Sequence, residues 1–338
     1  MVGQRMIQLL ANHPWFEISV LAASDRSAGK KYVDATNWLL ESAIPETIGR
    51  MIVQTCTPGL DCDFVLSGIP SEIAEDTELQ IAKSGLPVIS NASSHRMKPD
   101  VPLLIPEINP DHLDALKVQK NRIEGHGFIV TNPNCSTIGL VFPLAAIQKK
   151  FGIEAVQVVT MQALSGAGYP GVQSLDIIDN VLPAIGLGSE DNKIETEPLK
   201  ILGTWSGGAF IDAPIRISAM THRVNVRDGH LEAVSVKLAK KATVEEVEQA
   251  FREFESPIDA LNLPTAPKPV ILTERHPQRP QPRIDRDRGN GMAVVTGPVA
   301  KCNVLDFKFR VLSHNTIRGA AGAAILNAEL LYKKGLIG

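Results

Sequence analysis

Between residues 1 and 135, short β-rich runs alternate with stretches of helical periodicity, and this alternation restricts the fold more than any other feature of the chain. Met6, Ile7, Leu9 and Leu10 fall on one helical stripe that Asn12, His13 and Pro14 bring to a stop. Residues 16–23 read as a strand, and 50–54 and 63–67 as two further short runs. A helix follows through Lys83, with Ser71 as cap and Glu72 and Glu75 in its first turn. Gly85 stops it, and 86–90 and 127–130 supply more strands. Strands that recur with helices between them pair in parallel, because a parallel neighbour needs a long crossover. The expected architecture is α/β: a doubly wound, mostly parallel sheet, whose ligands sit beyond the carboxyl ends of the strands. The polar turns at 24–30, 91–96 and 132–135 fall at those ends, so three of them converge on one crevice.

After residue 150 the texture changes. Residues 153–164 form a long β-rich run, and 215–226 and 231–239 alternate like antiparallel strands joined by Arg227, Asp228 and Gly229. Residues 243–254 read as a helix capped by Thr243, and 293–296 and 304–312 as strands, which makes a second, α+β domain. An Ala-rich helix over 316–331 closes the chain, its start at Asn315 and Thr316 polar enough to lie against a cofactor. The Pro-rich stretch 277–282 and the charged run 283–288 read as an exposed loop or a contact with a sister subunit.

A chain of 338 residues exceeds one ordinary core and implies roughly two domains. With 44% hydrophobic residues, 21% charged residues and a net charge of -3 it reads as globular, and no basic stripe favours nucleic acid. No apolar run reaches the roughly 20 residues of a membrane span and no secretory leader is visible, so a cytoplasmic protein is expected. Four cysteines without a CxxC pair argue against a disulfide framework or a structural zinc site, and reduced thiols are expected.

One of those cysteines stands out. Cys135 lies in Asn132-Pro133-Asn134-Cys135-Ser136-Thr137, between a β-rich run and a helical one, so its side chain meets a helix N-terminus whose dipole and free N–H groups favour a thiolate. Ser136 or Thr137 would cap that helix. A small buried hydrophobe is the plainer alternative. Ser165, Gly166 and the glycines that follow form a loop whose amides can approach a ligand closely. His230 at the end of the expected hairpin and Arg223 on the strand before it face one pocket, as acid/base and carboxylate clamp, or simply decorate a surface turn. Glu197 and Lys200 are spaced i, i+3 on a helix, the spacing of an ordinary ion pair. In the turn after residue 23, Ser24, Arg26 and Ser27 suit the 2′-phosphate of NADP, whereas Asp25 would suit the free hydroxyl of NAD.

Taken in order, the Cys135 motif, Gln162-Ala163-Leu164-Ser165-Gly166-Ala167-Gly168, Glu197-Pro198-Leu199-Lys200, Arg223 to His230 and Asn315-Thr316-Ile317-Arg318-Gly319 resemble the aspartate-semialdehyde dehydrogenase family, in its archaeal and fungal branch. The resemblance spans nearly the whole chain. It implies a nucleotide-binding domain of residues 1–134 and 316–338 and a catalytic and oligomerisation domain of residues 135–315. It implies Cys135 as nucleophile, His230 as acid/base and Gln162 as the residue orienting the acyl intermediate. Arg223 would hold the substrate α-carboxylate, Glu197 its amino group, and Arg96 with Lys200 the phosphate. The implied reaction is NADP-dependent reductive dephosphorylation of aspartyl phosphate through a thioester, in a homodimer or homotetramer, with no metal. Ser165, Gly166, Asn315 and Thr316 join Ser24, Arg26 and Ser27 as cofactor contacts.

Family members begin with a strand and a glycine turn ahead of the segment that here starts at Met1, of which only Gly3 could belong to the phosphate loop. The resemblance therefore implies a missing first strand, and either a longer natural protein or weak NADP binding. Malonyl-CoA reductase and a catalytically silent relative are the rival readings, and the amino-group site at Glu197 favours an amino-acid substrate over the former.

Overall fold

The computed structural model describes residues 1–122 and 127–338. The chain opens with the helix Val2–Leu10, which turns Gln4, Met6 and Ile7 inward. Met6 joins a core that includes Ile89, Leu104 and Phe128. Residues 16–21 run outside any ladder, and the strand expected there is reduced to Ala22–Ala23, paired in parallel with Gln54–Thr55. A second parallel set follows, Val65–Ser67, Val88–Ser90 and Ile129–Thr131 in that order. Among the described residues no ladder joins the two sets, so the parallel sheet is present as two fragments. The helix Ser71–Lys83 is capped by Pro70 with no side-chain bond. Ser71 instead accepts hydrogen bonds from the backbone N–H and hydroxyl of Ser93, which fastens the loop beyond Ser90 to the helix start.

The second body is built on a mixed sheet whose main path runs Ile271–Thr273, Val294–Thr296, Phe307–Ser313, His230–Leu238, Ile153–Gln162, Arg216–Arg223 and Leu182–Pro183, with Ala300–Lys301 paired to Phe307–Ser313. The hairpin expected around Arg227-Asp228-Gly229 is corrected here. Arg216–Arg223 and His230–Leu238 do not pair with each other, because Ile153–Gln162 lies between them, parallel to the first and antiparallel to the second. Alternation along each strand gave the right elements, but which strands pair is fixed by the helix Ser189–Ile201, which carries the chain back over the sheet. That helix, Thr137–Phe151 and Val244–Arg252 cover one face, burying Leu140, Phe142, Ile194 and Val247 against Val158, Val234 and Val236. Val244–Arg252 begins with the capping box of Thr243 and Glu246.

The charged run 283–288 is less exposed than its composition implies. It starts with the short helix Pro282–Asp285, and Asp285 is buried in an ion pair with Arg279. The chain ends in a π-helical turn, Ile317–Ala321, leading into Gly322–Lys333, whose Leu326, Leu330 and Leu331 enter the core shared with Met6.

Candidate active site

Strand register builds the site before any loop is considered. Arg223 pairs with Gln162, and His230 stands one residue beyond the Leu231–Met161 pair, so all three reach the same end of neighbouring strands. The N-terminal end of Thr137–Phe151 brings Cys135 to that row. Its sulfur lies 3.2 Å from Nε2 of His230. On the other side of the ring, the backbone N–H of Ala163 donates to Nδ1 at 3.0 Å. Arg223 Nη1 donates to the carbonyl of the same Ala163 at 2.7 Å. Gly166 has no side chain because a Cβ there would sit 2.8 Å from Nη1 of Arg223 and 3.1 Å from Cε1 of His230.

The cap of the cysteine helix differs from expectation. Asn134 Oδ1 accepts from the N–H groups of Ser136 and Thr137, while the hydroxyls of those two residues find no partner among the described residues. Asn134 is itself held from two directions. Its backbone N–H donates to Glu197 Oε2 at 2.6 Å and its amide to Glu190 Oε1 at 2.7 Å. Glu197 Oε1 pairs with Arg96 at 2.9 Å, both side chains being buried. Arg96, Glu197, Asn134 and Cys135 therefore form one connected set from three parts of the chain.

Not every residue singled out from the sequence reaches the pocket. Lys200 is buried, and its ammonium donates to the carbonyls of Arg96, Lys98 and Val101 at 2.7, 2.8 and 2.9 Å. An ammonium has three hydrogens, so none is left for a phosphate. Neither is it the surface ion pair that its spacing from Glu197 implied. Gln162 is buried with its amide N–H toward Thr160 Oγ1 at 3.3 Å and its oxygen without a partner among the described residues. Glu190, by contrast, escaped the sequence reading although it lies two helical turns before Glu197, a spacing that puts the two on one face.

Charge around the sulfur is divided. Burial, and after it the carboxylate of Glu190, push the Cys135 thiol up to about 12, against the pull of Arg223, Arg96 and Lys193. The helix start alone does not make a thiolate. Burial opposes ionisation of Glu190, but Lys193, the Asn134 amide and Arg96 outweigh it and hold that carboxyl below its ordinary value. Burial and then Arg223 and His314 drive the His230 imidazole well below its usual range.

The helix Val2–Leu10 starts without a side-chain cap, and Gly3 sits in its first turn with open space where a Cβ would be. Gly3 is thus part of the helix and not of a preceding loop. Ser24 and Arg26 are exposed in the turn after Ala22–Ala23, with Ser27 half-buried beside them. Asn315 Nδ2 donates to Ser165 Oγ at 2.8 Å and its oxygen accepts from Gly229 N–H, which ties the glycine loop to the start of the C-terminal segment. Thr316 is buried next to His314. An uncapped helix start and an exposed guanidinium flanked by hydroxyls fit the two phosphate-bearing parts of NADP.

Residues 1–116 match the family model described as semialdehyde dehydrogenase, NAD binding domain, and residues 144–318 that described as semialdehyde dehydrogenase, dimerisation domain. The chain is 49% identical over 338 residues to an aspartate-semialdehyde dehydrogenase of Archaeoglobus fulgidus, covering 100% of this chain and 96% of the relative. It is 46% identical to that of Candida albicans, covering 99% and 96%. A solved Candida albicans aspartate-semialdehyde dehydrogenase with NADP superposes with a TM-score of 0.90 at 44% identity, covering 99% of this chain and 96% of that one. Aspartate semialdehyde dehydrogenase II from Vibrio cholerae, complexed with ASA, gives 0.75 at 27% identity, covering 98% and 95%.

Proposed function

The chain belongs to the aspartate-semialdehyde dehydrogenase family, and we propose that it works as that enzyme, with Cys135 as its nucleophile. It is an NADP-dependent oxidoreductase of amino-acid biosynthesis that interconverts aspartyl phosphate with aspartate semialdehyde and phosphate. The observation that carries the assignment is the 3.2 Å approach of the Cys135 sulfur to His230, beside Arg223 and within the set that holds Arg96.

The sulfur attacks the acyl carbon, phosphate departs and a thioester remains. Arg223 suits the substrate α-carboxylate, since the hydrogen bond of its guanidinium among the described residues, to the Ala163 carbonyl, uses Nη1 alone, and Gly166 leaves room beside that nitrogen. Arg96 suits the phosphate. Glu197 and Glu190 together supply the anionic surroundings that an α-ammonium group requires, an argument for an amino-acid substrate over an acyl-CoA. NADP, when bound, exchanges hydride with the acyl carbon. Gly3 and the uncapped amides after it would take the pyrophosphate, Ser24, Arg26 and Ser27 the 2′-phosphate, and Ser165, Gly166, Asn315 and Thr316 the remainder.

Among the described residues no helix is long and apolar enough to cross a membrane, and a cytoplasmic location and a homo-oligomer complete the proposal. The sheet of the second body has helices on one face, and the other, with Met220 exposed and Val159, Met161 and Leu231 half-buried, is open to a second copy. The test is direct. Purified protein with aspartate semialdehyde, phosphate and NADP should reduce the nicotinamide, and omission of phosphate should stop it. No reduction under these conditions would refute the assignment.

A further inference from the structure

Resting on that reading of the reaction, we infer that Glu232 is a positioning residue which, as a neutral acid, holds the Gln162 amide in the orientation that meets the acyl group on Cys135. The carrying observation is a second polar row beside the one that holds Arg223, Gln162 and His230. Glu232 is paired in register with Thr160 on one side and Val311 on the other, and Thr160 with Thr221. Residues two apart on a strand share a face, so this row lies on the side of the sheet that carries the site. The next row along the same strands, Ala219, Val158, Val234 and Phe309, is apolar and buried. Glu232 is 1% exposed, and neither of its oxygens has a hydrogen bond among the described residues. An isolated carboxylate in such a place costs far more than a carboxylic acid, and the group neutralises instead. Burial accordingly drives its carboxyl well above the usual range.

A neutral acid has one hydrogen to give, and its neighbours decide where it goes. The side chains of Val311 opposite and Val234 on the same strand accept nothing. The polar neighbours are Thr160 opposite and, on the two diagonals, Gln162 and Ser313. Diagonal pairs stand roughly 7–8 Å apart, within reach of two long side chains. The hydroxyls of Thr160 and Ser313 can donate for themselves. Gln162 Oε1 can only accept, and it is buried without a donor among the described residues. Its amide nitrogen donates to Thr160 Oγ1 at 3.3 Å, which leaves the Thr160 hydrogen for the carboxyl directly opposite. Glu232 O–H to Gln162 Oε1, Gln162 N–H to Thr160 and Thr160 O–H to Glu232 then close a ring that gives each of these buried oxygens a partner. Of the three, the Gln162–Thr160 bond is present in the structure and the other two complete it.

The ring explains why the acid has to be neutral. With Oε1 and one N–H of Gln162 engaged, the second amide hydrogen is left to donate to the acyl oxygen. An ionised Glu232 would instead draw both amide hydrogens to itself and turn Oε1 toward that oxygen, which it would repel.

One part of the experiment needs no turnover. Infrared difference spectra of the full-length wild type against Glu232→Gln at about pH 7, where an ordinary glutamate is ionised, should show a neutral-acid C=O band that the substitution removes. In Gln162→Leu that band should shift, because the donor has lost its acceptor. A missing band, or one that Gln162→Leu leaves in place, overturns the inference. A wild type that shows both but reduces no NADP counts against the family reaction alone. Kinetics read the consequence, with circular dichroism to confirm folding. Glu232→Leu should lower kcat about 10–100-fold and change the KM for aspartate semialdehyde less than about twofold, since the amide is misplaced and not lost. Glu232→Gln keeps an N–H donor for Oε1 and should stay within about threefold of wild type. In a Gln162→Ala background Glu232→Leu should cost less than about twofold, because the group it positions is gone. An equal cost in both backgrounds is the mark of a purely structural residue, and a Glu232→Gln variant as slow as Glu232→Leu that of a carboxyl that must ionise; either result overturns the inference.

Discussion

At the scale of single residues, the proposed mechanism makes the sulfur of Cys135 the one atom whose chemistry cannot be replaced. Cys135→Ala should lower NADP reduction by on the order of 10³-fold or more, the scale at which loss of a nucleophile is felt. Cys56→Ala, Cys62→Ala and Cys302→Ala should leave most of the activity, since none of the three adjoins the His230 row. Turnover of the four variants by nicotinamide absorbance decides the matter, and an active Cys135→Ala enzyme would remove the nucleophile assignment. The protonation state of the sulfur is a separate question with its own pH signature. A thiol pushed up to about 12 by burial has a thiolate fraction that rises tenfold for each pH unit far below that value. Alkylation of Cys135 by iodoacetamide in the substrate-free protein should therefore climb log-linearly from about pH 7 to 9, with no plateau. A plateau near neutrality would show a thiolate already formed and would contradict the balance of charges around Glu190, Arg223 and Arg96.

At the scale of elements, two close approaches hold the site together. Gly319 lies in the π-helical turn Ile317–Ala321, and a Cβ there would come within 2.8 Å of Cys135 Cβ. Gly319→Ala should displace the sulfur and lower turnover about 10²-fold, the usual result of a misplacement near 1 Å, with little loss of NADP affinity. Unchanged turnover would mean that the two segments are not packed so closely. The helix Ser189–Ile201 holds the Arg96 turn through Lys200, so Lys200→Met leaves three carbonyls without that donor and should destabilise the protein by about 3 kcal/mol, read from urea unfolding. It should also raise the KM for phosphate through Arg96. Wild-type stability with a raised KM would return Lys200 to the role of a direct phosphate ligand. Much of this scale was legible in the sequence. The Cys135 turn, the Ile153–Gln162 strand and the Thr243 cap all follow from local pattern, because each depends on residues adjacent in the chain. The Arg216–Arg223 and His230–Leu238 pairing was misread because alternation fixes which face a side chain takes and says nothing about which strand lies beside it. Lys200 was misplaced for a related reason, since its i, i+3 spacing from Glu197 cannot reveal three carbonyl acceptors on a turn one hundred residues away.

At the scale of the whole molecule, one chain supplies Cys135, His230, Arg223, Arg96 and Glu197, while the sheet behind them leaves the face of Met220 and Ala233 exposed among the described residues. Along that open face Met220, Val159 and Ala233 lie side by side in register, a small and mostly apolar row in the middle of the sheet. Met220 is 55% exposed, and further exposed apolar side chains, Ile178, Val181 and Leu187, extend the surface past the Leu182–Pro183 edge. A two-fold axis through such a face brings each residue against the same surface of the partner, so every substitution acts twice. Met220→Glu combined with Ala233→Glu would therefore crowd four carboxylates into one desolvated patch and should raise the dimer dissociation constant by about 10²-fold or more. In sedimentation at micromolar concentration the variant should run as a monomer of 36.5 kDa, whereas the wild type should run as a dimer or larger. Both substituted side chains point away from the helix-covered face that carries His230, so the monomer should keep its Cys135 alkylation profile even if turnover declines. A variant that sediments with the wild type would place the subunit contact elsewhere on the second body.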